Sequence, residues 1–251
     1  MDFIKINYTG RIKDGAVFDT TRREDAEKEG IFDERRVYKP FSVAVGEGQV
    51  VEGLDEALAK MKVGEKKTVT IEPEKAYGPR NPSMVKLIPI KQFKQQRINP
   101  IPGMPVEIDN MRGRVQTVAG GRVRVDFNHE LAGKTIEFDV EVVEKAKTDT
   151  DKVNYILERA FESSDEFESK LTANKLTVKL PKSANYDQNL LMRKMSFTAE
   201  AFKLLKVDDV VFEETWENPE KKKKEKSDSG DEKSDDKSEE KTPKKSGKKS
   251  D

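Results

Sequence analysis

The chain has no cysteine and a single histidine among its 251 residues. Without thiols it can form no disulfide, no thiolate nucleophile and no cysteine-ligated zinc site. Metal sites commonly use clusters of histidine or cysteine, and neither cluster exists, so we expect no metal and no cofactor. Lys and Arg together number 48, as do Asp and Glu. No net charge therefore favours nucleic acid or an anionic membrane as a partner.

Long apolar runs are also missing. No segment approaches the roughly 20 apolar residues that cross a bilayer, and Met1–Ile6 lacks the apolar core of a secretory signal. We therefore expect a cytoplasmic protein without a membrane partner. Only 34% of residues are hydrophobic while 38% are charged, so the apolar positions must be concentrated in folded segments. The length predicts about two folded units.

Apolar and polar residues alternate in several segments of the first part of the chain. These segments are Ile4–Tyr8, Phe41–Val45, Val69–Ile71 and Ile136–Val142. A period of two predicts strands with one buried face. Among them, Leu54, Leu58 and Met61 share a helical face, which predicts one helix from about Gly53 to Val63 that Gly64 ends. The combination predicts an α+β fold in which an antiparallel sheet curls over one helix.

The amino-acid composition changes between Tyr77 and Leu131, where prolines cluster. They are Pro79, Pro82, Pro89, Pro100, Pro102 and Pro105. Prolines are confined to connectors and strand edges, and short strands resume near Val106–Ile108, Arg114–Val118 and Arg122–Phe127, with a hairpin turn at Gly120-Gly121. This pattern predicts a β-rich module, residues 83–128, inserted into a first domain of residues 1–82 and 129–147.

Beyond Thr148 the apolar period becomes helical, which predicts a separate α+β domain over residues 148–216. The predicted elements are a helix through Val153–Phe161, a strand at Leu176–Leu180, a helical region at Tyr186–Leu205 broken near Ser196, and a strand at Val210–Trp216. From Glu217 onward almost every residue is charged or small and polar. Such a segment buries too little surface to fold, so residues 217–251 are predicted to be a disordered tail.

Short motifs in the first domain resemble the FKBP family. They are Val17–Thr20 (VFDT), Gly48–Leu54 (GQVVEGL), Met61–Glu65 (MKVGE) and Ala76–Gly78 (AYG). The segment Phe127–Lys134 (FNHELAGK) is similar to the SlyD-like branch, in which a chaperone module interrupts the flap at this place. The resemblance covers about residues 1–145. The unit after it resembles, more weakly, the extra C-terminal domain of long archaeal members.

The resemblance implies a peptidyl-prolyl cis-trans isomerase that acts on unfolded or partly folded polypeptides containing proline. It implies the catalytic residues Tyr8, Phe18, Asp19, Phe41, Val50, Val51, Leu54, Tyr77 and Phe138. The Val51 N–H would hold the carbonyl before the proline, while Asp19 and Tyr77 supply polar contacts. Many relatives have tryptophan where Leu54 stands. An alternative is therefore a chaperone or binding module with a weakly active pocket, and a third is an adaptor whose C-terminal unit docks a specific partner.

The inserted module carries more apolar residues than about forty-five residues are expected to bury. They include Met84, Leu87, Ile88, Ile90, Phe93, Ile98, Ile101 and Met104. The excess, together with the resemblance, predicts an exposed peptide-binding groove with holdase activity; the alternative is a small core. His129 is expected to have a structural role rather than to ligate a metal.

The C-terminal unit is rich in aromatic residues for its length. They are Phe161, Phe167, Phe197, Phe202, Phe212 and Trp216. A unit of about seventy residues is at the lower end of sizes that hold a core alone. We expect some of these rings to meet a second copy in a homodimer, with a single monomeric core as the alternative.

Overall fold

The computed structural model describes residues 1–217, which form three sheets and five α-helices. The strands are β1 Phe3–Ile12, β2 Val17–Thr20, β3 Phe41–Ala44, β4 Lys66–Ile71, β5 Val85–Pro89, β6 Pro105–Ile108, β7 Met111–Ala119, β8 Arg122–Asp126, β9 Ile136–Lys145, β10 Glu168–Leu171, β11 Lys175–Lys179 and β12 Asp209–Glu213. The helices are α1 Arg23–Lys28, α2 Glu52–Leu58, α3 Ile90–Gln95, α4 Asp149–Phe161 and α5 Leu190–Leu205. None of the helices in this range is long and apolar enough to cross a membrane.

The first sheet has the strand order β2-β1-β9-β4, and β3 also pairs with β1. All of these pairings are antiparallel. Alternate residues of β1 and β9, among them Ile6 and Ile136, are buried in one core together with Leu54 and Leu58 of α2. The predicted antiparallel sheet of an α+β fold is confirmed, and α2 packs against it. This packing places the start of α2 against the buried face of the sheet.

Two predictions about helices in this part were wrong. Helix α2 ends at Leu58 rather than near Val63, because the next N–H groups, from Lys60 onward, turn back to carbonyls three residues earlier. Gly64 has a φ of 84° but lies in the turn that follows, where its N–H donates to the Val142 carbonyl. Helix α1 was missed, since Ala26 is its one buried residue and no apolar period reveals it.

The second sheet has the order β5-β8-β7-β6 and encloses its own apolar core. The predicted hairpin turn is confirmed, with φ values of 56° and 74° at Gly120 and Gly121. Pro89 and Pro105 lie on the two edge strands, as proline requires. Strand β5 and helix α3 were not predicted from the sequence, because the clustered prolines in this stretch predict connectors.

The ends of this segment are close together in space. The Asn81 N–H donates to Asn128 Oδ1 at 2.8 Å, and Asn128 Nδ2 donates to the Asn81 carbonyl at 3.0 Å. Asp126 accepts hydrogen bonds from Arg80, Gln116 and Asn128. Burial alone would raise the pKa of Asp126, but the Asn128 hydrogen bonds and the Arg80 charge hold that pKa below its usual value. The two segments that connect the second sheet to the first are therefore held side by side.

The third sheet, β10-β11-β12, combines an antiparallel and a parallel pair and packs with α4 and α5. Thr148 caps α4 in a reciprocal capping box with Asp151. Helix α5 is continuous through Ser196, so the predicted break is wrong. Trp216 lies beyond β12 and is 68% exposed, so it does not share a buried strand face as predicted.

The C-terminal core also includes Phe3 of β1 and Ala44 of β3. Their neighbours Ile4 and Val43 point to the opposite side, into the core under α2. Strands β1 and β3 thus contribute to two cores at once. Residues 218–251 lie outside the described part of the chain, and most of the predicted tail falls there. Its first residue, Glu217, is described and forms an ion pair with Lys182.

Candidate functional site

Five aromatic rings form a continuous series of edge-to-face contacts over the first sheet. In order, the rings are Phe41, Tyr8, Phe138, Phe18 and Tyr77. The four centroid separations are 6.4, 5.8, 5.9 and 6.3 Å. These separations are in the range that aromatic pairs favour. We call these five residues the aromatic arc.

The aromatic arc is not ordinary closed core. Phe138 is 5% exposed, but the other four rings are only half-buried. Leu54, 2% exposed, lies with them in the same apolar cluster. We call the partly exposed apolar surface around these rings and Leu54 the apolar recess; surface of this kind can take up a compact apolar group.

Gly10 allows the rings to lie this close to β1. A Cβ atom at position 10 would lie 2.7 Å from Cε1 of Phe138 and 2.9 Å from Cζ of Phe18. Any side chain there would push both rings aside. Sequence analysis missed Gly10, because a glycine within a strand carries no signal of which rings cross it until the sheet register is known.

Asp19 supplies a fixed negative charge beside the aromatic arc. Its Oδ2 accepts a hydrogen bond from the Tyr8 hydroxyl at 2.5 Å, and its Oδ1 accepts one from Arg36 Nη1 at 2.6 Å. Burial and the hydrogen bond to Asp19 raise the pKa of Tyr8. Burial, and then the Asp19 charge, raise the pKa of Tyr77. Both phenols therefore stay protonated at neutral pH and can act as donors.

Arg36 was missed by the sequence analysis. It lies in the irregular segment between α1 and β3, and no motif marks it. Its guanidinium lies 5.4 Å from the centre of the Tyr38 ring while it bonds Asp19. The ion pair ties this segment to the edge of the aromatic arc.

Val50 and Val51 lie half-buried against the same apolar cluster, where the chain enters α2. Val51 has extended geometry, and its carbonyl accepts from the N–H groups of Leu54 and Asp55. Its own N–H takes part in none of the hydrogen bonds within residues 1–217. It is thus an available donor next to the apolar recess.

His129 stacks on Tyr77 with a centroid separation of 4.5 Å and an interplanar angle of 6°. Its Nδ1 accepts a hydrogen bond from the Leu131 N–H at 3.2 Å. Over residues 1–217 there is no group of three or more histidine or carboxylate side chains that could hold a metal ion. The imidazole covers the outer side of the Tyr77 ring and supports its position.

The sequence-predicted residues of the second sheet do not all lie on its surface. Ile88 and Phe93 are buried, and Met84, Ile90, Ile98 and Met104 pack against the same core. The prediction of an exposed groove is therefore wrong for Ile88 and Phe93. Only Leu87, 62% exposed, and Ile101, 58% exposed, present most of their surface to solvent. The other six predicted residues belong to, or pack against, a core of eight buried residues that stabilises the four-stranded sheet.

Taken together, these residues supply the contacts that a compact apolar ring attached to a peptide would need. The aromatic arc offers apolar contact on several sides, and the Val51 N–H offers a hydrogen bond to an adjacent carbonyl. All nine residues predicted from the sequence lie at or next to this recess.

Comparisons with known proteins find peptidyl-prolyl cis-trans isomerases among the similar proteins. A peptidyl-prolyl cis-trans isomerase of the short type from Methanocaldococcus jannaschii is 39% identical over 141 residues, which are 56% of this chain and 89% of that protein. An FKBP-type 16 kDa isomerase of Escherichia coli K12 is 28% identical over 145 residues, 56% of this chain and 89% of that protein. The isomerase SlyD of Helicobacter pylori is 27% identical over 135 residues, 53% of this chain and 72% of that protein.

Two family models also match segments of the chain. The one described as "FKBP26, IF domain" matches residues 86–131, and the one described as "FKBP26_C-terminal" matches residues 149–217. The chain belongs to the FKBP-type peptidyl-prolyl cis-trans isomerase family.

Proposed function

We propose that this chain catalyses cis/trans isomerisation of the peptide bond before proline in unfolded or partly folded polypeptides. The observation that carries the proposal is the half-exposed aromatic arc, which lies beside the unbonded Val51 N–H. The proline ring would enter the apolar recess. The Val51 N–H would then hold the carbonyl before the proline.

The reaction suits a site of this composition. Rotation about a peptide bond loses amide resonance, at a barrier of about 18–20 kcal/mol. No proton has to be transferred and no covalent intermediate is required. Because the twisted amide has less charge separation than the planar one, apolar walls favour it over both ground states, and that preference accelerates the step.

Refolding of a protein whose slow phase is limited by a non-native prolyl bond tests the proposal. Uncatalysed prolyl isomerisation takes tens of seconds at 25 °C, so acceleration is easy to resolve. We expect the rate of the slow phase to increase in proportion to the concentration of this chain. The increase should be visible when that concentration is well below the concentration of the refolding protein. If an equimolar amount of the chain leaves that phase unchanged, the enzyme assignment is wrong.

We also propose that residues 83–128 act as an inserted chaperone module. Its sheet has a core of its own, and its two connections are held together by Asn81 and Asn128. Leu87 and Ile101 are exposed apolar side chains that could contact an unfolded client. The module would hold a client chain near the aromatic arc, so that prolines reach the recess at a raised local concentration.

A chaperone or binding module with a weakly active pocket is the second candidate. It is favoured by Leu54, an aliphatic side chain at the position where many family members carry tryptophan, and by its burial in the apolar cluster. In that case the chain would slow aggregation of a client without shortening its prolyl-limited phase. The refolding experiment separates the two candidates.

A homodimer through the C-terminal unit is the last part of the proposal. Phe197 is buried, while Phe161, Phe167 and Phe212 pack against the same core, so these rings stay in one copy. The exposed apolar side chains are instead Tyr186, Leu191, Met192, Met195, Phe202 and Trp216. Several of them project from α5, and exposed apolar surface of this kind marks association sites.

Placing a charge on this apolar surface tests the dimer. We expect light scattering to give twice the monomer mass for the natural chain at tens of micromolar and the monomer mass for Met195→Glu. The matched control is Leu87→Glu, which places the same charge at an exposed apolar position of the second sheet and should leave the mass unchanged. A natural chain that runs as a monomer at that concentration rules out this dimer.

A further inference from the structure

Helix α4 of the C-terminal unit lies against β3, the short strand that carries Phe41. Its Arg159 side chain makes three contacts at once. The guanidinium carbon lies 5.3 Å from the centre of the Phe41 ring, and Nη1 donates to the Ser42 carbonyl at 3.1 Å. Nε donates to both carboxylate oxygens of Glu200 at 3.2 and 3.3 Å. Arg159 thus connects α5 to the aromatic arc.

The preceding residue, Glu158, also contacts β3 through its side chain. Glu158 Oε2 accepts a hydrogen bond from the Ser42 hydroxyl at 2.8 Å, and Oε1 accepts one from Lys5 Nζ at 2.8 Å. Ser42 is therefore held through both its carbonyl and its hydroxyl by two adjacent residues of α4. The side chains of Lys5, Glu158 and Arg159 are each about a fifth exposed or less. Partial burial strengthens these contacts relative to surface ion pairs.

Strand β3 needs such support, because it is four residues long and its one strand partner within residues 1–217 is β1. A short edge strand is among the elements that open most easily. A cavity of about 240 Å³ lies beside Phe41, between the preceding loop and α4. Without the guanidinium, the Phe41 ring has room to turn away from Tyr8.

We propose that Arg159 is a positioning residue for prolyl isomerisation, which holds the Phe41 wall of the recess in place from the C-terminal unit. The inference rests on the proposed function. A cation over an aromatic face attracts it, and the hydrogen bond to Ser42 fixes the adjacent backbone. The C-terminal unit therefore acts on the isomerase site directly and in the same chain.

Steady-state kinetics on a short proline peptide test this with three variants of the full chain. Arg159→Met keeps the length of the side chain but removes its charge and donors. Arg159→Lys keeps a cation that can reach either the ring or the Ser42 carbonyl. Arg193→Met is the matched control, since Arg193 bonds the Ala160 carbonyl and Glu162 within the C-terminal unit. Within residues 1–217 it has no hydrogen bond, ion pair or ring contact with the aromatic arc.

For Arg159→Met we expect kcat/KM to fall about fivefold, mainly through a higher KM, because the wall that contacts the bound proline becomes mobile. Arg159→Lys should recover part of the loss, and Arg193→Met should behave like the natural chain. A merely structural defect would lower the active fraction and hence kcat at an unchanged KM.

The results that overturn the inference are distinct from those that overturn the function. A natural chain without any catalysis refutes the proposed function. If the natural chain is active, then an Arg159→Met variant within twofold of it in kcat/KM, or one impaired in kcat alone, contradicts positioning by Arg159. If Arg159→Lys is as impaired as Arg159→Met, the positive charge does not have the role in holding Phe41 that we assign to it.

Discussion

Replacing residues 83–126 with a short loop is expected to leave a chain that isomerises short proline peptides at nearly the natural rate but loses at least about tenfold of its effect on a refolding protein. The two activities separate because a short peptide needs the aromatic recess alone. An unfolded protein gains from being held nearby, since tethering raises the concentration of its prolines at the recess.

We expect the rest of the chain to tolerate this deletion. The second sheet closes its own core, and the Asn81–Asn128 hydrogen bonds leave the two ends side by side. The double variant Leu87→Gln, Ile101→Gln is a milder companion, because it removes exposed apolar surface without touching that core. It should reproduce part of the loss on refolding and none on peptides. Equal losses on peptides and proteins after the deletion would contradict this division of labour.

Phe18→Ala is expected to lower kcat/KM on a short proline peptide by about tenfold or more, which corresponds to at least ~1.4 kcal/mol of lost transition-state stabilisation. Phe18 has edge-to-face contacts with both Phe138 and Tyr77. Its loss removes one wall of the recess and leaves the neighbouring rings without support. Since Phe18 is half-buried, the cost in folding stability should be smaller than the several kcal/mol of a buried phenylalanine.

Phe32→Ala is the matched control. Phe32 is also half-buried and also stacks on a tyrosine, Tyr38, with a centroid separation of 5.6 Å, but it has no ring contact with the aromatic arc. Its removal should change thermal stability about as much and catalysis little. Equal kinetic losses in the two variants, after correction for the folded fraction, would show that the aromatic arc has no special part in the reaction.

Local patterns were sufficient to predict much of the first domain. The alternation in β9 is long and regular, and that in β1 extends over Ile4–Tyr8; together they correctly gave the sheet face that carries Tyr8 and Phe138. The helix that follows Val51 was correctly placed at its start but not at its end. The tight turns that end it, up to Gly64, depend on a hydrogen bond to Val142, which lies far away in the sequence.

What sequence reasoning missed depends on contacts between distant residues. Arg159 and Ser42 are 117 positions apart, and nothing near either residue indicates that they meet. Arg36 reaches Asp19 across 17 positions from an irregular segment. The exposed face of α5 could not be distinguished from its buried face by aromatic content, because Phe197 is buried whereas Phe202 is 44% exposed.

The most direct measurement is exchange spectroscopy by NMR on a short peptide with one proline, at a small molar fraction of the natural chain. It reports the cis/trans interconversion itself, free of any folding or holding of a client. We predict exchange cross-peaks on the second timescale or faster, where the free peptide needs tens of seconds, and we predict that Phe18→Ala largely removes them. Interconversion at the free-peptide rate in the presence of the natural, folded chain would contradict the claim that the aromatic arc lowers the barrier to prolyl rotation.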